Sequence, residues 1–145
     1  MLSTSYSEIY NLFLSSIKDY KIDRLFESSI PDAEEYMKPF LIKGLINFDK
    51  CKKDLEDRDD ERQVFNLVLS TEERVILSNL MVVEWLTREV NDILQMKLHL
   101  QDRDFQVFSS AQNLKEKVNH LNNTREIVDK QITKYGYSNI DWTTL

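Results

Sequence analysis

Residues 48–86 read FDKCKKDLEDRDDERQVFNLVLSTEERVILSNLMVVEWL. The stretch passes from a dense charge block, through a short alternating segment, into an apolar run, and that succession decides the fold. Lys50 to Arg62 holds five bases and six acids, the composition of a solvated loop or helix face. Val64 to Leu69 alternates weakly and predicts a short extended segment. Ser70 with Glu73 three residues later is a capping-box signature, opening a helix from about Thr71 to Leu98 that would be roughly 40 Å long. Its apolar residues (Ile76, Leu77, Leu80, Met81, Val83, Val90, Ile93 and Leu94) go nearly all the way round. Two faces must therefore be covered, by other helices of the chain or by a neighbouring subunit. Val82 is expected among the outward residues that a neighbour would cover.

Downstream, Ala111, Leu114, Val118, Leu121, Arg125, Val128, Ile132 and Tyr135 alternate steps of three and four. This is a heptad-like seam interrupted once, at Arg125. After a linker around Gln101 to Asp104, a second helix from Phe108 to Tyr135 matches the first in length. The pair predicts an antiparallel helical hairpin. Arg125 is read either as a side chain snorkelling from the seam's edge or as a register-fixing ion pair with Glu84 or Glu89. Gly136 is placed to end the helix in a left-handed conformation. The last residues, YGYSNIDWTTL, then form an extended tail unusually rich in aromatics. Such a tail either folds back on the core or docks on another chain, and Tyr137, Ile140, Trp142 and Leu145 are its candidate partner-binding residues.

Upstream, Ser5 and Glu8 form another possible capping box, followed by Tyr6, Ile9, Tyr10, Phe13 and Ile17 at helical spacing to about Asp19. Lys21 to Ser29 holds another turn or two, with Ile22, Leu25 and Phe26 inward. Pro31 with Asp32, Glu34 and Glu35 starts a third helix. Pro39 predicts a kink or restart there, and Gly44 a close helix approach. The fold class is mainly α: a helical bundle with a long hairpin, a charged loop over about 48–70 and an extended C-terminal tail. One helical domain spans 1–136 and the tail 137–145.

Composition agrees. A chain of 145 residues supports one real core. Two glycines and two prolines leave little material for the turns of a multi-strand β fold. A net charge of −6 opposes non-specific DNA binding, though an acidic protein can still surround DNA that slides past it. Cys51, the single cysteine, excludes an intrachain disulfide and reads as a half-buried apolar residue. The N-terminus has no secretory pattern, and no run approaches the ~18 apolar residues of a membrane span.

The motifs of catalysis and metal binding do not fit. An EF-hand loop begun at Asp57 would place Arg62 and Val68 where Gly and Glu are needed; begun at Asp54 it would place Asp59 and Phe65 there. His99 and His120 have no companion ligands, and Glu116 precedes His120 by four residues rather than three. There is no nucleophile elbow, P-loop or dinucleotide fingerprint. No catalytic, cofactor-binding or metal-binding residue is assigned, and enzymatic activity is not expected. Chemistry alone thus reaches only a soluble helical protein that packs against partners.

A resemblance goes further. Phe48, Cys51 and Lys53-Asp54-Leu55, then Arg58-Asp59-Asp60, Phe65-Asn66, Leu69-Ser70-Thr71-Glu72-Glu73 and Leu80-Met81-Val82-Val83-Glu84-Trp85-Leu86 are similar to a group of small tailed-bacteriophage virion proteins. Asp104-Phe105, Phe108-Ser109, Ala111-Gln112-Asn113-Leu114 and Tyr135-Gly136-Tyr137 resemble the two ends of their last helix. The resemblance spans about 48–137 and implies a neck component, a head-to-tail connector or adaptor forming a homo-oligomeric ring beneath the portal. It implies the portal and other neck or tail proteins as partners, with a terminal segment gripping the neighbouring ring. DNA would only pass through the channel, no membrane would be involved, and the protein would reside in the virion after assembly in the host cytoplasm. The alternative is a soluble helical adaptor or regulatory protein that binds a partner protein. A third reading, a helical nucleotide hydrolase, would need facing carboxylate pairs, for which Glu84, Glu89 and Asp92 lack partners.

Overall fold

Local capping chemistry sets most element boundaries. In the computed structural model, which describes residues 2–99 and 110–138, Ser5 caps helix α1 (Tyr6–Ser15) and its own N–H donates to Glu8 Oε2 at 3.1 Å. The expected capping box is therefore formed. Helix α1 stops at Ser15, before Asp19, because Asp19 has another task. Its carboxylate caps α2 (Tyr20–Ser28), accepting from the N–H groups of Lys21 and Ile22 at 2.8 and 3.3 Å. Ser29 then caps α3 (Ile30–Ile46), with Pro31 in its first turn.

Helix α3 runs through Pro39 without the restart that the sequence allows there. Pro39 and Glu35 are both exposed, so the carbonyl displaced by the proline ring can turn to water. Packing of α3 along the fourth helix, α4 (Thr71–His99), supplies the stability that local hydrogen bonding loses there. Gly44 marks the close approach between these two helices: a Cβ on it would lie 3.2 Å from Leu80 Cβ.

The charge block is more structured than a solvated loop. Arg58–Asp59 (β2) and Val64–Phe65 (β3) pair antiparallel, and Thr4–Ser5 (β1) adds to the other edge of β3. Extended pairing thus covers Val64 and Phe65, the first third of the segment predicted from the alternation. The hairpin turns through Gln63 at φ 55. Gln63 accepts twice from α1, its carbonyl from Tyr6 N–H at 2.9 Å and its Oε1 from the Tyr10 hydroxyl at 2.8 Å. Buried Thr4 donates to the Leu67 carbonyl and accepts from Leu69 N–H, clasping the segment that leads into α4.

Helix α4 is the central element, packed by α1, by α3 and by the fifth helix, α5 (Ser110–Ser138). Ser70 and Glu73 complete its N-terminal box in both directions, at 2.7 and 3.1 Å. The two long helices form the expected hairpin, making the fold mainly α. Ile76, Leu77, Leu80, Met81, Trp85 and Leu86 are buried among the chain's own helices. Val82, expected to face outward, is only 3% exposed. Helices α1, α3 and α5 surround this half of α4, so its all-round apolar character is satisfied within one chain. Beyond Leu86 that cover thins, and Leu94, Met96 and Leu98 are exposed.

The seam of α5 buries Leu121, Val128 and Tyr135. At its interruption the inward residue is Thr124, whose hydroxyl donates to the His120 carbonyl at 2.8 Å. Arg125, one position on, is exposed and lines one depression with Glu84. Gly136 does not end the helix: no glycine has a positive φ, and α5 continues to Ser138. The Ser138 hydroxyl donates to the carbonyls of Lys134 and Tyr135. Tyr137 accordingly belongs to the helix, which runs past the stop expected at Gly136.

Candidate functional site

The described residues concentrate their buried polar chemistry where the charged segment, the start of α4 and the end of α5 converge. Glu73 is 2% exposed, and both carboxylate oxygens are fully engaged. Oε1 accepts from Ser70 N–H at 2.7 Å and from Lys53 Nζ at 3.1 Å; Oε2 accepts from the Tyr135 hydroxyl at 2.6 Å and the Cys51 thiol at 3.5 Å. Tyr135 Oη in turn accepts from Lys52 N–H at 2.9 Å. Its ring stands edge-on to Phe48 at 5.2 Å. One carboxylate therefore ties together three separate parts of the chain.

The electrostatics follow from that geometry. Burial raises the Glu73 pKa, but the hydrogen bonds from Tyr135, Ser70 N–H and Lys53 outweigh it and bring the carboxyl down to about 2. Tyr135 is pushed well above the ordinary phenol range by burial and by its bond to Glu73. Burial likewise pushes the Cys51 thiol up, which lowers its nucleophilic fraction. The arrangement is that of a neutral thiol, a neutral phenol and a fixed carboxylate: a structural clamp, with no group poised to exchange a proton near neutrality.

The acid block behaves similarly. Asp59 Oδ1 accepts from the N–H groups of Glu61 and Arg62, Asp54 from Glu56 N–H, and Asp57 from the Asn66 side chain. Asp60 accepts from the Tyr6 hydroxyl and pairs with Arg58 at 3.0 Å; these partners hold its carboxyl below the usual range. These carboxylates shape turns. Among the described residues no group of three or more His, Cys, Asp or Glu is placed to hold a metal ion, and no helix is long and apolar enough to cross a membrane.

Of the candidate partner-binding residues, Tyr137 stands 61% exposed on the last turn of α5. Ile140, Trp142 and Leu145 lie outside the described residues. Beside Tyr137 is a depression of about 270 Å³ lined by Lys50, Ile132, Thr133 and Gly136. Ile132 also lines a second, of about 330 Å³, together with Leu80, Val83, Glu84, Arg125, Val128 and Asp129. Elsewhere aromatic rings meet cations: Tyr36 lies between Lys21 and Arg88 at 4.9 and 5.0 Å, and Lys117 sits 4.6 Å over Trp85. Trp85 also donates from Nε1 to Asp19 at 2.9 Å, tying α4 to the cap of α2.

Sequence reasoning found Glu73 as a cap and Cys51 as half-buried, but not their meeting with Tyr135. The capping signature is local, whereas the partner comes from the far end of the chain. Compared with known protein families, curated proteins and solved structures, the chain matches none of them.

Proposed function

We propose that this chain is a structural subunit of a tailed-bacteriophage neck, assembling as a ring between portal and tail. The reading rests on the resemblance of the 48–86 and 104–137 segments. Those segments supply the clamp at Glu73 and most of the α4–α5 hairpin. Its supporting observation is the end of that hairpin, where α4 leaves Leu94, Met96 and Leu98 exposed after the rest of its apolar surface has been covered by the chain itself. Apolar side chains grouped on one helix end favour burial against another protein surface. The clamp at Glu73 holds the base of the hairpin rigidly, as a subunit bearing load between two assemblies requires. Net charge of −6 would let DNA pass without trapping phosphate.

Electron microscopy and light scattering of the purified protein, alone and with a candidate portal, test the reading. Rings of many copies, or capture by the portal, are the expected result. A monomer at all concentrations that ignores the portal would sink it and favour a soluble adaptor.

A further inference from the structure

We draw no further inference here: the strongest candidate, the groove of about 380 Å³ between α3 and α4 lined by Phe40, Lys43, Glu84, Arg88 and Asp92, presents cations and carboxylates in equal number, and nothing in the structure shows what covers it.

Discussion

The Tyr135 hydroxyl donates to the Glu73 carboxylate at 2.6 Å across 62 residues of sequence, closing the C-terminal helix onto the start of α4. Tyr135→Phe keeps the ring against Phe48 and removes only that hydroxyl. A hydrogen bond to a charged group contributes about 1.5–3 kcal/mol, so the variant should unfold at a clearly lower temperature with its helicity intact. Adding Glu73→Gln should cost less than the sum of the two single changes, since both act on one bond. Additive losses in thermal denaturation would show that the pair is not coupled.

The same carboxylate predicts an acid response. Its folded pKa of about 2 lies below the ordinary value of 4.5, so its stabilising effect is complete above about pH 4.5 and is lost as pH falls toward 2. The difference corresponds to about 3 kcal/mol. Asp60, also held low by Tyr6 and Arg58, acts in the same direction. Stability measured by denaturant titration should therefore fall steeply over that window. In Glu73→Gln the slope should be shallower, and an unchanged slope would remove Glu73 from the account.

Gly44 sets the spacing of α3 and α4. Valine there would force methyl groups into a site where even a Cβ lies 3.2 Å from Leu80. Overpacking of this kind costs about 1–3 kcal/mol, visible as a lower denaturant midpoint at unchanged m-value. A neutral result would mean that the two helices can separate cheaply.

How much of this was legible in the sequence follows from the range of each interaction. The caps at Ser5 and Ser70, the close approach at Gly44 and the antiparallel hairpin rest on residues a few positions apart or on sustained periodicity, and each stands in the structure. Asp19 as the cap of α2 went unread because its place was given to the end of α1. The strands at 58–59 and 64–65 depend on pairing with Thr4–Ser5, a contact that no local pattern announces. Pro39 stays helical because packing overrides its local cost. The seam's polar interruption was assigned to Arg125, although a one-residue drift of the helix face turns Thr124 inward instead. At the candidate site, Tyr137 was expected in an extended tail but lies in the helix, and the Glu73–Tyr135 bond was not legible.

Where α4 is free to meet a neighbour was misjudged from sequence, and the structure relocates the test. Val82 lies in the intrachain core. Val82→Asp would leave an uncompensated buried charge, at a cost on the order of 3–5 kcal/mol, and should abolish helicity and assembly together. Leu94 and Leu98 are 41% and 76% exposed, so replacing both by Asp should change stability by less than about 1 kcal/mol, each exposed site contributing about 0.5 or less. If the end of the hairpin is the contact between subunits, the double variant keeps its circular dichroism and melting temperature while its oligomers disappear from light scattering. Oligomers of normal size in the Leu94→Asp/Leu98→Asp protein would move the subunit contact away from this end of α4.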